Sequence, residues 1–258
     1  MGQVSTIDVA YDGVKSILIN NVGGGAVTIT ESADGKVTGS INSSQPDLLQ
    51  EVTVHQSHDQ LRISFPQWRF RSPQVYVDLA VPAGTDLITS TGSADVDVRV
   101  PLGATKINTG SGDVGVSEAT SLRCNTGSGD IGVGTLTGSG SDLTSGSGDV
   151  TIDRATANLQ AKSASGDVRI REFNGVLRAN TASGDIDVPS AAGALELRCA
   201  SGSISVGVAG ELPAWLDVNS VSGDVDISLE ASTQPAAGEP FVSIKASTAS
   251  GDVSIYRA

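Results

Sequence analysis

Three segments of the chain have almost the same sequence: SGSGDVTI at residues 145–152, SASGDVRI at residues 163–170 and TASGDIDV at residues 181–188. The aspartate of this motif recurs along the chain at Asp95, Asp113, Asp130, Asp149, Asp167, Asp185, Asp224 and Asp252, and Ser203 replaces it once. From Asp95 to Ser203 the spacing stays between 17 and 19 residues. A spacing this regular indicates a repeat protein made of short, similar units.

The residues around each aspartate alternate between apolar and polar. Before Asp185, for example, Leu177 and Ala179 are apolar, whereas Arg178 and Asn180 between them are polar. Two aliphatic residues, two positions apart, follow each aspartate in the same way. Because side chains two apart on a strand share a face, each repeat is predicted to form two short strands around a glycine-containing bend, with the aliphatic face inward.

Such a repeat cannot bury its apolar face alone, but coils stacked at about 4.8 Å would turn each aliphatic position into a continuous inner row. The sequence therefore predicts an all-β fold, a single elongated β-solenoid or β-helix with about 18 residues per coil. Crossover chirality favours right-handed coiling. The 31 glycines and the aromatic content of 3% agree with a thin, aliphatic core.

The regular motif does not cover the whole chain. Residues 1–86 contain strand-like segments without it and are predicted to form irregular N-terminal β coils or a capping sheet, while residues 87–258 form the regular solenoid of one continuous domain. A capping structure is expected because a solenoid end otherwise exposes unpaired backbone groups. Little sequence follows the last repeat, so we expect an open C-terminal edge and head-to-tail self-association through it.

The segment Val77-Asp78-Leu79-Ala80-Val81-Pro82-Ala83-Gly84, followed by the repeated Ser-Gly-Asp motif, resembles the bacterial putative-adhesin family of β-strand-repeat domains of unknown function. That family is similar to the head-domain putative autotransporter adhesins. The resemblance implies a binding protein at or near the cell envelope, and it supplies no catalytic residues.

Charge and composition restrict the partners. The net charge of −13 argues against nucleic acid and anionic membranes as partners, because both need clustered Lys and Arg. No apolar run approaches the roughly 20 residues needed to span a bilayer. For the chain as given we expect a cytoplasmic location, with cell-envelope association if a partner anchors it. Cys124 and Cys199 lie about four coils apart in the repeat register and are expected to be unpaired, inward-facing thiols.

The turn aspartates are interpreted as structural residues that accept backbone N–H bonds, and calcium binding by them is the alternative. Thr-x-Ser pairs beside them, such as Thr181 and Ser183, resemble the hydroxyl arrays of ice-binding solenoids, but their register predicts inward side chains unless the strand bends first. His55, His58 and Asp59 could hold a metal or could simply lie on the surface of a hairpin.

The segment from residue 65 to 71 contains much of the aromatic content of the chain. It is a candidate recognition patch formed by Phe65, Trp68, Arg69, Phe70 and Arg71. The alternative is that these residues pack over the N-terminal cap.

No pattern of acids, nucleophiles or bases indicates an active site, so we expect no catalytic residues, no enzyme activity and no cofactor. The predicted function is a non-enzymatic binding or scaffolding module with a protein or glycan partner. One alternative is a protein that binds or cleaves polysaccharide, which would need an acidic groove at the 229–240 loop with Glu230 and Glu239. The other is a scaffold that forms end-to-end filaments.

Overall fold

The computed structural model describes residues 5–43, 45–67, 74–138, 140–229 and 241–258. Their contacts divide the chain into two compact units, Met1–Asp130 and Ile131–Ala258, called here the N-terminal and the C-terminal unit. The boundary falls inside the regular repeat, where the sequence motif gives no signal. Each unit is described by itself.

In the N-terminal unit the described residues form ten strands and one short helix. They are β1 (Ser5–Tyr11), β2 (Ser16–Val22), β3 (Gly24–Glu31), β4 (Val37–Ser43), α1 (Pro46–Glu51), β5 (Thr53–Ser57), β6 (Gln60–Ser64), β7 (Gln74–Val81), β8 (Asp86–Thr91), β9 (Asp95–Thr109) and β10 (Val114–Thr126). The helix was not anticipated; proline in its first turn, where no N–H partner is needed, is compatible with this start.

Parallel pairs stack the strands of this unit in two columns. One column contains β6, β2, β8 and the later half of β9, and the other contains β7, β3 and the first half of β9. Antiparallel strands complete the unit: β5 pairs with β6, while β4 lies between β1 and β7. The region before residue 87 thus combines parallel coils with an antiparallel border.

The C-terminal unit contains β11 (Ile131–Leu136), β12 (Ser141–Ser145), β13 (Val150–Ala155), β14 (Leu159–Ser163), β15 (Val168–Thr181), β16 (Ile186–Cys199), β17 (Ile204–Val208), β18 (Ala214–Ser222), β19 (Val225–Ser228), β20 (Val242–Ser250) and β21 (Val253–Arg257). Its pairs given by register are all parallel, for example Val150 with Val168 and Val168 with Ile186. Each residue therefore stacks on its equivalent in the next repeat.

The end of this unit does not follow chain order. Strand β20 pairs with β16 on one side and with β18 on the other, and β21 lies in the same way between β17 and β19. The last repeat of the sequence is therefore an inner coil, and the preceding repeat, β18 and β19, is the outer one. Among the described strands, the outer edge is therefore formed by residues 214–228 and not by the C-terminal strand, where the open edge was predicted.

Inward rows of aliphatic side chains form the core of each unit. In the C-terminal unit, the residues directly after the turn aspartate or its serine replacement are fully buried at Val150, Val168, Ile186, Ile204 and Val253, whereas Val225 of the outer coil is 44% exposed. Burying each such side chain contributes about 1.5–3 kcal/mol. The prediction of an all-β protein with solenoid-like stacking is confirmed. Within the described residues, no helix has the length and apolar character needed to cross a membrane.

Candidate functional site

The turn aspartates connect neighbouring coils directly. Asp149 accepts a hydrogen bond from the backbone N–H of Asp167 at 2.8 Å, and Asp167 accepts one from Asp185 at the same distance. In the N-terminal unit, Asp95 and Asp113 accept corresponding bonds at 2.9 Å. Each carboxylate thus caps the turn of the next coil, in the geometry of a structural turn residue.

The serine replacement lengthens this contact. Ser203 donates its own N–H to Asp185 at 2.8 Å, but its hydroxyl accepts the N–H of Asp252 at 3.4 Å. The series then continues, as Asp252 accepts the N–H of Asp224 at 2.9 Å. The order of these contacts follows the stacking of the coils rather than the sequence.

Glycine precedes the aspartate because backbone passes close by. A Cβ atom on Gly112 would lie 2.1 Å from the carbonyl oxygen of Ala94, and one on Gly184 would lie 2.1 Å from that of Gly166. Among these motif glycines in the described residues, only Gly251 has a positive φ, at 148°. The close approach of successive coils, rather than a left-handed turn, requires glycine at most of these positions.

Four residues before most turn aspartates a threonine or serine points inward, and it is buried at Thr109, Thr126, Ser145, Ser163, Thr181 and Thr248. Thr181 is 6% exposed; its hydroxyl donates to the carbonyl of Gly166 at 3.2 Å and accepts the N–H of Gly184 at 3.0 Å. The serine two residues later in the motif, such as Ser183, is exposed because the strand has already bent. The hydroxyl pairs therefore do not form a flat outer array of the kind that ice binding would need.

A groove of about 410 Å³ follows the turn aspartates of the C-terminal unit. Asp149, Asp167 and Asp185 line one part of it, and an ion pair between Arg169 and Asp187, at 2.7 Å, lines another. No group of three or more His, Cys, Asp or Glu side chains suited to a metal occurs among the residues that the structure describes. At these turns one oxygen of each carboxylate already holds backbone, which is the structural interpretation of the motif.

The predicted recognition patch is described only at its start. Phe65 is 3% exposed, and its carbonyl oxygen accepts a hydrogen bond from the Asn21 side chain at 3.3 Å. Phe65 itself is therefore packed and unavailable as a contact residue. Trp68, Arg69, Phe70 and Arg71 lie outside the described residues. So do Glu230 and Glu239 of the predicted acidic loop.

His55 and His58 lie at the β5–β6 hairpin, as the sequence indicated. His55 pairs across the hairpin with Arg62, and His58 adopts a left-handed backbone with φ of 55°. The Nδ1 atom of His58 lies 3.3 Å from the hydroxyl of Ser57. The two histidines and Asp59 form no metal-binding group in the described structure.

Both thiols are free and buried, which confirms the prediction of unpaired, inward-facing cysteines. Burial raises the pKa of Cys124 to about 12. Burial also raises the pKa of Cys199, whose Sγ donates to the carbonyl of Gly184 at 3.2 Å. Each sulfur is thus held as a neutral thiol, without the lowered pKa of a reactive cysteine.

The sequence interpretation missed an exposed apolar surface on the C-terminal unit. Val176, Ala194, Ser243 and Trp215 are neighbours across four adjacent strands and point outward. Val176 is 46% and Trp215 is 55% exposed, and Phe241, two residues before Ser243, is 46% exposed. We call Val176, Ala194, Trp215 and Phe241 the aromatic face. Trp215 lies in the long interval between Ser203 and Asp224, and Phe241 lies in the longer one between Asp224 and Asp252. These departures from the regular spacing were the signal in the sequence.

A row of charged side chains borders the aromatic face, two residues further along each strand. Arg178 lies 3.3 Å from Glu196, and Lys245 lies 3.5 Å from Asp217. Because the signs alternate along the row, its charges neutralise one another locally. The surface combines apolar contact area with hydrogen-bonding groups that carry little net charge.

Comparisons with known proteins agree with this architecture. The family model of Toastrack DUF4097 matches residues 14–256. A solved putative lipid binding protein from Parabacteroides distasonis is 18% identical, with a TM-score of 0.61 over 98% of this chain and 97% of that chain. A putative adhesin from the same organism is 14% identical, with a TM-score of 0.52 and the same coverage. No curated protein matches the chain. Likeness at these identities shows the fold alone.

Proposed function

We propose, on the premise that this chain belongs to the Toastrack DUF4097 family, that it is a non-enzymatic binding module of the putative-adhesin type. The resemblance stated from the sequence is confirmed by the family match, but the family itself has no defined activity. The binding site must therefore be inferred from the surface of this chain itself.

The aromatic face carries the proposal. When a partner binds, exposed aromatic side chains bury a large area and lose little conformational entropy. They are enriched at the contact sites of protein interfaces. On this surface Trp215 and Phe241 are about half exposed, although aromatic residues make up only 3% of the chain. The bordering row of Arg178, Glu196 and Lys245 offers hydrogen bonds to a polar ligand. A protein surface or a neutral glycan has the matching chemistry.

The face can be tested with arrays of purified bacterial polysaccharides and of extracellular proteins. Trp215→Ala should weaken binding at least about tenfold, as expected for a central aromatic contact. Tyr76→Ala is the matched control, because Tyr76 is 49% exposed but belongs to the N-terminal unit. A Trp215→Ala protein that binds like the wild type would exclude this face. Release of reducing ends from any polysaccharide would exclude the non-enzymatic reading.

The name of one structural neighbour raises lipid binding as a second function. The interior of the C-terminal unit gives no support to it, because inward residues such as Leu177, Ile186 and Ile204 fill the space between the strands and are fully buried. We therefore assign binding to the outer surface rather than to an internal chamber.

We also propose a right-handed β-helix with about 18 residues per coil. The 18-residue offset of pairs such as Val150 with Val168 and Val168 with Ile186 supports the coil length. The strong preference for right-handed crossovers between parallel strands supports the hand. An experimental electron-density map would test both.

A further inference from the structure

The outer coil of the C-terminal unit, β18 and β19, exposes residues that are buried in every neighbouring coil. Val225 and Ile227 are 44% and 46% exposed. Their partners in the adjacent strand, Val253 and Ile255, occupy the same inward positions and are fully buried. This surface is therefore a cross-section of the core of the coil stack. We call the surface formed by β18 and β19, residues 214–228, the open coil end.

Backbone and side-chain bonding are also incomplete at the open coil end. In the described structure β18 pairs with β20 and β19 pairs with β21, each on one side only. Asp224 donates its N–H to Asp252 at 2.9 Å, but no further coil donates to its own carboxylate among the described residues. An added strand would satisfy these groups and cover the apolar positions together.

We propose that this open coil end docks against the open coil end of a second copy of the chain, giving a closed two-fold dimer. The surface consists of two strands that meet at a corner, between Ser222 and Val225. A single extended peptide would cover one of these strands and leave the other exposed. Another coil with the same corner would cover both β18 and β19, and a second copy of the chain provides such a coil.

A two-fold axis through the corner fixes the pairing. Strand β18 runs toward the corner and β19 runs away from it, so β18 of one copy lies antiparallel to β19 of the other, and the reverse. When inward positions face inward positions, Val225 lies opposite Ser220 of the second copy. Asp226 then lies opposite Asn219, and no two aspartates face each other along the strands.

Charge sets one condition on the dimer. The two Asp224 side chains approach each other near the axis, and each chain has a net charge of −13. Both effects oppose association, and both are screened by salt. Dimerisation should therefore strengthen as ionic strength rises, unlike association between oppositely charged surfaces.

The border strands of the N-terminal unit have a different character, which argues against filaments. Strand β5, with sequence TVHQS, contains mostly polar side chains, and α1 packs against β1 and β4. Among the residues that the structure describes, neither border offers an apolar counterpart to Val225 and Ile227. Growth by head-to-tail contacts would need such a counterpart, so the open coil end pairs with itself and the assembly closes at two copies.

The size of the interface predicts its strength. Strands β18 and β19 contain 9 and 4 residues, fewer than the 20–30 residues per partner of a standard interface. We therefore expect a dissociation constant of roughly micromolar order.

Sedimentation velocity of the full chain from roughly 1 to 300 μM tests the proposal across that range. The expected result is a mass that rises from 26.1 kDa to twice this value and then stays constant. Ile227→Lys should remain a single chain throughout. Val176→Lys is the control, because Val176 is equally exposed, at 46%, but lies on the aromatic face. Circular dichroism and thermal unfolding would establish that both variants are folded.

Three outcomes would overturn the proposal. A wild-type mass of one chain at every concentration would mean that the edge is covered from within the chain or by another partner. A mass that grows beyond two copies would mean filament formation. Equal dimerisation of Ile227→Lys and Val176→Lys would place the interface elsewhere. Hydrogen exchange adds an independent measurement, since amides of residues 219–228 should gain protection as wild-type concentration rises.

Discussion

At the scale of single residues, the motif combines two requirements that operate between coils. The aspartate holds the N–H of the next turn, as Asp149 does for Asp167. The glycine allows that turn to come close, as Gly166 does against the carbonyl of Gly148, where a Cβ would lie at 2.2 Å. Ser-Gly-Asp is therefore a signature of stacking, and its regular spacing does not by itself indicate a ligand.

Replacement of a motif glycine should be costly for this reason. We expect Gly112→Ala to lower the free energy of unfolding by about 2–3 kcal/mol, because the new Cβ would overlap the carbonyl of Ala94. Gly115→Ala is the control, since its Cβ would have nothing nearer than 3.6 Å. That change should stay within about 0.5 kcal/mol. Urea unfolding of both variants measures the difference, and equal losses would contradict the close-approach argument.

Cys124 gives a prediction for alkaline pH. Burial raises its pKa from 9.0 to about 12, so the thiol ionises in the unfolded chain before it ionises in the folded one. Stability is therefore fully present below pH 9 and is lost as the pH rises toward 12, by about 1.4 kcal/mol per pH unit. Cys124→Ala should remove this part of the pH dependence; Ala161 and Ala179 occupy the equivalent position in other repeats.

Urea unfolding from about pH 8 to about pH 10.5 would compare the wild type with Cys124→Ala. Other groups that titrate in this range contribute equally to both proteins, so the difference between the two slopes isolates the thiol. Parallel slopes would show that the Cys124 thiol does not control alkaline stability.

At the scale of elements, the most consequential feature is the position of the last repeat. Strands β20 and β21 fill the space between the coil of β16 and β17 and the coil of β18 and β19. Removing an outer strand would affect one neighbour, but removing an inner strand affects two.

Deleting residues 251–258 should therefore disrupt more than the C-terminus. Strand β21 pairs with both β17 and β19, so both should lose protection against hydrogen exchange. Peptides covering β2 and β3 in the N-terminal unit provide the internal control and should keep their protection. If exchange increased only next to the deletion, at β20, the inner position of β21 would be wrong.

The repeat pattern predicts strand content and inward positions well, since alternation and spacing are local properties. Leu177, Ala179 and Ile186 are buried where the pattern expected them. Coil order is not local, because any repeat can pair with any other of equal register. The longer intervals before Asp224 and Asp252 showed that the chain departs there, without showing where it returns. The aromatic face was missed because it becomes continuous only after this reordering.

At the scale of the whole molecule, the negative net charge predicts which surfaces repel the protein. The chain has 16 basic and 29 acidic residues. Ion pairs such as Arg154 with Glu172 and Arg169 with Asp187 neutralise part of the surface locally but leave the excess of negative charge. We therefore expect long-range repulsion from anionic surfaces to outweigh short-range attraction.

We expect no binding to vesicles of phosphatidylcholine, with or without phosphatidylserine, at low salt. Vesicles that contain a cationic lipid should bind the protein at low salt and release it as salt is added, which is the positive control. Sedimentation of vesicles with bound protein measures both. Binding to phosphatidylserine vesicles at low salt would show a local basic or apolar membrane contact that overrides the net charge.

The strand order at the end of the C-terminal unit also affects when this unit can fold during synthesis. The ribosome delivers β18 and β19 before β20 and β21, yet the earlier pair acquires its neighbours only from the later one. Until residues 242–257 have left the exit tunnel, the outer coil lacks the strands that it pairs with in the folded structure. Its apolar positions then remain available to chaperones and to other nascent chains. Completion of this unit is thus delayed until after its own outer coil has emerged.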